Sequence, residues 1–279
     1  MGSIAEPATI SSQVAYTTNP LFSLAGRTIA ITGAGRGLGI TLAAAVLESG
    51  GHVACIDILP APSELEWASL QTIAKSSNLT VSYHRCDIIL EAEVSAVLDL
   101  IAATGSKLGA PLMGTIACAG IQQKIPAVDY PVDGFRRIMD VNVTGTFLTI
   151  KHSARIFMAE GTKGSVVIIA SMSGQVANRG LTCTAYNTSK AAVQQMCRSV
   201  AQEWGAHGIR CNQYIRTAMT DELLAAEPEV EKTWMAGALL GRLGAPEDFK
   251  APAVFLLADG SSWMTGADLR VDGGHCASA

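Results

Sequence analysis

The stretch Thr28-Ile-Ala-Ile-Thr-Gly-Ala-Gly-Arg-Gly-Leu-Gly39 decides the fold of this chain. Its first part, Thr28–Thr32, is β-branched and apolar and predicts a strand, and the glycine-rich turn Gly33–Gly39 follows at once. The apolar residues of Ile40–Ser49 recur at helical spacing and stop at two glycines, which predicts a helix with a glycine end. A second apolar run, His52–Ile56, is followed by an acid. This order of strand, glycine turn, helix and strand is one βαβ unit.

Strand and helix patterns keep alternating to the end of the chain. Short β-branched runs predict further strands, at Val81–Cys86, Leu112–Cys118, Val166–Ser171, Ile209–Ile215 and Asp268–Val271. Apolar-periodic stretches predict helices, at Glu91–Thr104, Phe135–Met158, Tyr186–Trp204 and Pro246–Ala258. Continuous apolar strands between helices are typical of a parallel sheet covered on both faces. We therefore expect a single α/β domain of Rossmann type, with a doubly wound parallel sheet.

Composition excludes several classes of protein. The chain has 279 residues, of which 49% are apolar, so it can bury a large core and is not disordered. The net charge is −4 without a basic run, which argues against nucleic acid and anionic membranes as partners. No apolar run reaches the roughly 18 residues of a membrane span. Residues 1–23 are polar and lack a signal-peptide pattern, so we expect a flexible tail before a domain at 24–279 and a cytoplasmic location.

The cysteines and histidines predict no metal site. The seven cysteines are scattered and form no CxxC pair, and the five histidines are equally dispersed. An odd number of scattered cysteines also argues against a disulfide framework and fits a reducing compartment.

The glycine turn predicts a nucleotide site. Glycine lets the backbone approach a pyrophosphate, and the helix N-terminus that follows offers unpaired N–H groups. Asp57 ends the second strand 18 residues after Gly39, where an acid accepts hydrogen bonds from ribose hydroxyls and repels a 2′-phosphate. Arg36, inside the turn, favours the opposite choice, because a guanidinium there can meet a 2′-phosphate. We expect NAD as the cofactor, with NADP as the alternative.

A second pattern, Tyr186-Asn-Thr-Ser-Lys190, predicts acid–base chemistry. Residues four apart lie on one face of a helix, so the phenol and the ammonium group are neighbours. A phenol with a pKa near 10 is a poor catalyst at neutral pH, but a nearby positive charge favours the phenolate and lowers that pKa. The same spacing on an exposed helix would be an ordinary polar surface, so the pattern is informative only together with others.

Seven motifs in order resemble those of the short-chain dehydrogenase/reductase family, from Leu24 to Cys276. They are Thr32–Gly39, Cys86-Asp87-Ile88, Ala119-Gly120, Asp140-Val-Asn142-Val-Thr-Gly145, Ala170-Ser171-Met-Ser173-Gly174, Tyr186–Lys190 and Thr265–Gly274. The residues of these motifs are most similar to those of fungal sugar and polyol members of the family, of the mannitol, arabinitol and sorbose type.

The resemblance implies roles for the matched positions. Tyr186 would pass a proton to or from the substrate oxygen, Lys190 would support it and hold the nicotinamide ribose, and Asn142 would anchor a water. Ser171 would donate a hydrogen bond to the substrate, with Ser173 as the alternative. The implied cofactor contacts are Gly33, Arg36, Gly37, Leu38, Gly39, Asp57, Asp87, Ile88, Gly120, Tyr186, Lys190, Ile215 and Thr217.

Two features depart from the family or stay ambiguous. Cys118 stands where relatives usually carry the asparagine of Asn-Ala-Gly. The residues Trp234, Met235, Leu239 and Leu240 either line a substrate lid or are ordinary helix core.

The segment before Tyr214 is shorter than the family pattern. Asn212-Gln213 runs straight into Tyr214-Ile-Arg-Thr217, without the Pro-Gly turn that brings backbone groups to the nicotinamide in relatives. Three outcomes stay open: a repacked loop with intact function, weakened cofactor binding, or a damaged protein.

The resemblance implies an NAD(P)-dependent enzyme that interconverts a secondary alcohol and a ketone by hydride transfer. The expected substrate is a polyol or ketose, or a carbonyl intermediate of fungal secondary metabolism. A non-catalytic nucleotide-binding or scaffold protein is the alternative, motivated by the missing turn, and complete loss of cofactor binding is a third possibility. The resemblance also implies a homotetramer or homodimer that pairs the helices Phe135–Met158 and Tyr186–Trp204.

Overall fold

A computed structural model describes residues 18–177, 179–216 and 228–278. Within these ranges, one sheet is formed by β1 Thr28–Thr32, β2 His52–Asp57, β3 Val81–Arg85, β4 Leu112–Ala117, β5 Ser165–Ile169, β6 Arg210–Arg216 and β7 Asp268–Val271. Its order is β3-β2-β1-β4-β5-β6-β7, and all neighbouring pairs are parallel. The strand order reverses between β1 and β4, which is the point where doubly wound sheets bind their ligands.

Helices cover both faces of this sheet. They are α1 Gly37–Glu48, α2 Glu64–Ser76, α3 Glu91–Lys107, α4 Val132–Met139, α5 Thr146–Glu160, α6 Thr184–Trp204, α7 Pro228–Gly237, α8 Lys250–Leu257 and α9 His275–Ser278. The predicted α/β fold with a doubly wound parallel sheet is confirmed. In the part of the chain that the structure describes, no helix combines the length and the apolar character needed to cross a membrane.

The core consists of two layers, one on each face of the sheet. In β1, Ala30 belongs to the layer packed under α3, α5 and α6, whereas Ile29 and Ile31 belong to the layer under α1, α2 and α8. All five residues of β1 are buried. A strand covered on both faces needs apolar side chains at every position, and this is why the strand signal in the sequence is continuous.

Two helices that the sequence did not predict, α2 and α7, lie at the edges of the core. In α2 only Leu70 and Ala74 are buried, and Leu65 is 86% exposed. In α7, Trp234 is fully buried, but the neighbouring Met235 is exposed. Both helices have few apolar residues, so pattern reading misses them although those residues lie on one face.

The predicted helix Phe135–Met158 lies within one continuous helical stretch, but that stretch is not α-helical throughout. The structure contains α4, then a π-helical segment at Asp140–Gly145, then α5. Within the π segment, a Cβ at Gly145 would lie only 2.6 Å from Cδ1 of Ile88, so the segment comes close to the loop after β3. The predicted helix Pro246–Ala258 is likewise shorter, because its first turn, Pro246–Phe249, is a 3-10 helix before α8.

Part of the predicted tail packs on the domain. Residues 1–17 lie outside the described ranges, but Asn19–Phe22 forms a 3-10 turn. The ring centroid of Phe22 lies 6.1 Å from that of Phe255 in α8. The C-terminal end of the segment 1–23 therefore contacts the domain through an aromatic ring.

The shortened segment before Thr217 completes β6. Tyr214 pairs with Ile169 of β5 on one side and with Leu269 of β7 on the other. Its buried ring stacks on Phe249, with centroids 5.9 Å apart and an interplanar angle of 9°. Residues that follow the Pro-Gly turn in the family pattern thus fill the strand here, and the sheet is continuous across β6. Thr217 itself lies outside the described residues.

Tyr214→Ala should lower the free energy of unfolding by about 3–5 kcal/mol, because it removes a buried aromatic ring from the core. Chemical denaturation of native protein and variant measures this difference. Leu65→Ala in α2 is the control and should change stability by less than about 0.5 kcal/mol, because Leu65 is exposed. A loss at Tyr214 as small as that at Leu65 would contradict the register of β6.

Candidate active site

A cleft of about 320 Å³ lies at the carboxyl ends of β1, β2 and β4. The predicted cofactor residues that line it are Gly33, Arg36, Leu38, Gly39, Asp57, Asp87, Ile88 and Gly120. Ile215 is placed in β6, but its side chain lies outside the described part of the chain, as does Thr217. Gly37, Tyr186 and Lys190, which are also predicted cofactor contacts, are not among the described residues that line it. Sequence reasoning therefore named eight residues of one continuous surface at the switch point of the sheet, and their contact with a cofactor stays a prediction.

The glycines of the turn are required by close approaches and by backbone angles. Gly33 and Gly37 have φ of +68° and +60°, which favour glycine. A Cβ at Gly33 would lie 2.7 Å from Cα of Ala119, and one at Gly39 would lie 2.1 Å from the carbonyl oxygen of Gly33. The turn is thus packed against the loop after β4, directly before the N-terminus of α1. This cradle fits a nicotinamide dinucleotide, whose pyrophosphate binds at such a helix N-terminus.

The carboxylate of Asp57 is held at the rim of the cleft by two backbone groups. The N–H of Gly35 donates to Oδ2 at 2.8 Å, and the N–H of Leu59 donates to Oδ1 at 3.1 Å. Tyr83 donates its hydroxyl to the carbonyl oxygen of Leu59 at 2.8 Å. Burial and the charge of Asp57 raise the pKa of Tyr83 to about 12, so this phenol stays a donor at neutral pH. The acid is therefore fixed where a ribose would meet it.

The wall after β3 is partly apolar and carries one carboxylate, that of Asp87. Burial raises the pKa of the Cys86 thiol to about 11, so this thiol stays protonated at neutral pH. The side chain of Ile88 is buried, and Asp87 accepts a hydrogen bond from the N–H of Ile89 at 3.3 Å. Such a wall suits a flat aromatic base. The loop-capping bond of Asp87 is present, and its contact with a cofactor stays a prediction.

Asn142, in the π segment, joins the cleft to α6. Its Nδ2 donates to the carbonyl oxygen of Ile121 and to Oγ of Ser189, both at 2.9 Å, and its Oδ1 accepts from the N–H of Ile121 at 2.8 Å. Ser189 in turn donates to the carbonyl oxygen of Tyr186 at 2.7 Å. The asparagine side chain is 1% exposed. It thus has a structural role that sequence reasoning missed, and its water-anchoring role stays a prediction.

Tyr186 and Lys190 lie together beside Gly120, which lines the cleft. Nζ of Lys190 is 5.6 Å from the ring centroid of Tyr186 and donates to the carbonyl oxygen of Ile169 at 2.8 Å. Both side chains are 6% exposed. A Cβ at Gly120 would lie 3.3 Å from Oδ1 of Asn142 and 3.8 Å from Nζ of Lys190. Gly120 therefore marks where the cofactor cleft meets the acid–base pair.

Both candidate serines lie in one buried turn after β5. Oγ of Ser171 donates to Oγ of Ser173 at 3.0 Å and accepts from the N–H of Ser173 at 3.1 Å. Nε2 of Gln194 in α6 donates to the carbonyl oxygen of Ser171 at 2.9 Å, which fixes the turn against the catalytic helix. The two hydroxyls are hydrogen-bonded neighbours, and the choice of Ser171 as the substrate donor stays a prediction.

Sequence reasoning missed four cleft residues, Leu59, Ile121, Arg137 and Val141. Arg137 and Val141 are four residues apart in a predicted helix, and Val141 directly precedes Asn142, so helical spacing was the available signal. Cys118 also lines the cleft, and Ala119 beside it approaches Gly33 closely despite the change from the family's asparagine.

A second cavity, of about 470 Å³, lies between the loop before α6 and helices α7 and α9. Trp234 lines it and donates its indole N–H to the carbonyl oxygen of Arg179 at 3.0 Å, which ties α7 to that loop. Polar and charged side chains contribute to its wall, among them Arg179, Lys232 and Thr233. Of the four residues named for a lid or helix core, Trp234 is buried and lines this cavity, whereas Met235 is exposed and does not line it; a lid stays a prediction. Leu239 and Leu240 are exposed.

Comparison with known proteins agrees with this geometry. Residues 33–275 match a family model described as enoyl-(acyl carrier protein) reductase. A protein described as short chain dehydrogenases/reductase notP′ of Aspergillus versicolor is 46% identical over 93% of this chain and 90% of its own length. D-arabinitol 2-dehydrogenase (ribulose-forming) of Candida tropicalis is 32% identical over 92% of this chain and 94% of its own.

A solved structure extends the likeness to the whole fold. The NADPH-dependent 3-quinuclidinone reductase from Rhodotorula rubra matches with a TM-score of 0.86 and 31% identity, over 99% of this chain and 100% of that chain. The family model, the sequence relatives and the solved structure each match nearly the whole chain. The chain is a member of the short-chain dehydrogenase/reductase family of enzymes.

Proposed function

We propose that this protein catalyses reversible hydride transfer between a nicotinamide cofactor and a secondary alcohol or ketone. The observation that carries the proposal is the buried pair of Tyr186 and Lys190, next to Gly120, which lines the cleft. A phenol beside a buried ammonium group is suited to exchange a proton with an alcohol or carbonyl oxygen.

The protein's own residues transfer the proton and hold the substrate oxygen. NAD(P), when bound, supplies or accepts the hydride. In the direction of reduction, the hydroxyl of Tyr186 donates its proton to the carbonyl oxygen as that oxygen gains negative charge. In the direction of oxidation, the phenolate takes the proton from the alcohol, and the ammonium of Lys190 stabilises the phenolate. A hydroxyl of the Ser171 turn holds the substrate oxygen by a hydrogen bond.

A polyol or its ketose is the substrate class that we propose. D-arabinitol 2-dehydrogenase supports it, as does galactitol 2-dehydrogenase (L-tagatose-forming) of Cereibacter sphaeroides, which is 33% identical over 91% of this chain and 97% of its own length. The second cavity also supports it, since Arg179, Lys232 and Thr233 on its wall can hydrogen-bond hydroxyl groups.

We propose NAD rather than NADP as the cofactor, on the basis of Asp57. Backbone N–H groups hold both of its oxygens at the rim of the cleft, so a 2′-phosphate would meet a fixed negative charge. The solved relatives include NADP-bound proteins, such as gluconate 5-dehydrogenase from Burkholderia cenocepacia in complex with NADP and tartrate. The preference of this chain for NAD over NADP is therefore tested directly by the titration below.

The non-catalytic alternative has less support. It was motivated by the missing turn before Tyr214, but that residue extends β6 without interrupting the sheet. The bonds of Asn142 and Lys190, on which acid–base chemistry depends, are also present.

Tyr186→Phe should lower kcat by about 10²–10⁴-fold, because the phenyl ring has no proton to exchange. The measurement follows NADH formation with galactitol and D-arabinitol, and NADH consumption with ketoses and apolar ketones. The affinity for NADH, measured by fluorescence, is the control and should change less than about threefold, because the ring remains. Native turnover by the variant would remove Tyr186 from the mechanism. NADH binding without turnover of any compound by the native protein would support the scaffold reading.

The native protein should bind NADH more tightly than NADPH, and Asp57→Ser should shift that ratio toward NADPH by about tenfold or more. The substitution removes both the ribose acceptor and the charge that repels a 2′-phosphate. Fluorescence titration with each cofactor measures the ratio. Asp87→Ser, in the same cleft, is the matched control and should affect the two cofactors equally. A native preference for NADPH would overturn the NAD proposal and point to Arg36.

A further inference from the structure

The cleft contains two arginines whose side chains have no partner among the described residues. Arg36 lies in the glycine turn, and Arg137 lies on α4 at the β4 side. Across the described ranges, neither guanidinium forms an ion pair or a hydrogen bond. Arg136, the neighbour of Arg137, differs, because its guanidinium is 3.1 Å from Oδ1 of Asp133. Arg137 is thus the arginine of α4 that is left available to a ligand.

The acids of the cleft are already engaged, whereas its cations are not. Oxygens of Asp57 accept from the N–H groups of Gly35 and Leu59, and Asp87 accepts from that of Ile89. The donors of the two guanidinium groups have no acceptor among the described residues. The charged groups of the cleft that still lack a partner are therefore donors with positive charge, and an anionic ligand supplies the acceptor that they need.

The position of Arg137 follows from the helix that carries it. Val141, four residues later on the same face, is buried in the cleft wall, and Arg137 is exposed at its rim. The next residue, Asn142, holds Ile121 at the end of the loop after β4. Because the π segment is anchored in this way, α4 is held beside the cleft. The backbone of Arg137 is therefore held there as well.

We propose that Arg137 binds a phosphate group of the dinucleotide from the β4 side of the cleft. Guanidinium presents planar N–H donors that match phosphate oxygens, often in pairs. The glycine turn and the N-terminus of α1 would contact the phosphates from the β1 side. Arg137 would contact them from the opposite side, where the glycine motif supplies no residue. The inference rests on the proposed function, since it requires a dinucleotide in this cleft.

Two kinds of phosphate group in these ligands can accept hydrogen bonds from Arg137. The pyrophosphate is present in NADH, NADPH and ADP-ribose, whereas the 2′-phosphate is present only in NADPH. Titration of Arg137→Gln with all three ligands separates them, because a pyrophosphate contact affects each ligand and a 2′-phosphate contact affects NADPH alone.

Calorimetric or fluorescence titration should show that Arg137→Gln weakens binding by about tenfold, the loss of one charge-assisted contact at an exposed site. Arg136→Gln, one residue away and paired with Asp133, is the matched control and should stay within about twofold of the native Kd. The loss at Arg137 should shrink as NaCl is raised, because salt screens an exposed ionic contact.

The outcomes separate this inference from the proposed function. Unchanged affinity of Arg137→Gln for NADH, NADPH and ADP-ribose would overturn the role of Arg137 and leave the proposed function standing. A loss that salt does not change, together with a lower Tm, would mark a structural role and also overturn it. Failure of the native protein to bind any of the three ligands would overturn the proposed function itself.

Discussion

The hydrogen bonds of the Asn142 amide are the contacts on which the site depends. One buried side chain binds both backbone groups of Ile121, which lines the cofactor cleft, and the hydroxyl of Ser189 on α6. Ser189 donates to the carbonyl oxygen of Tyr186 in the same helix. Lys190 connects that helix to β5 by donating to the carbonyl oxygen of Ile169. A buried polar group without a partner costs about 1–3 kcal/mol. The network therefore sets the distance between the cleft and Tyr186, the residue proposed to exchange the proton.

The π segment makes this arrangement possible. A π turn contains an extra residue and changes the direction of the side chains that follow it, and such turns are frequent at functional sites. Asn142 lies within Asp140–Gly145, where it faces Ile121, and Gly145 leaves room for the side chain of Ile88. The same segment places Val141 in the cleft wall. One π-helical segment within a helix thus supplies the amide that joins the two halves of the site.

The sequence predicts the sheet and the glycine turn well because those features are local. Strands buried on both faces require unbroken apolar runs, and the turn requires glycine wherever its backbone meets Ala119. The π segment was not predicted, and its close approach of Gly145 to Ile88 joins residues that are far apart in the chain. The inclusion of Tyr214 in β6 likewise depends on Phe249 and on strand pairing. Arg137 has no motif, because an exposed arginine on a helix looks like ordinary surface until the cleft is seen.

Amide hydrogen exchange in Asn142→Ala tests the central claim most directly, because the N–H of Ile121 donates to the removed side chain. We expect exchange at least about tenfold faster at Ile121 and in the turn of α6 around Ser189, together with loss of turnover. Asn187→Ala, whose side chain accepts only from the Cys183 thiol among its described contacts, is the control and should exchange as the native protein does. Native exchange at Ile121 in Asn142→Ala would contradict the claim that this amide joins the cofactor cleft to the catalytic helix.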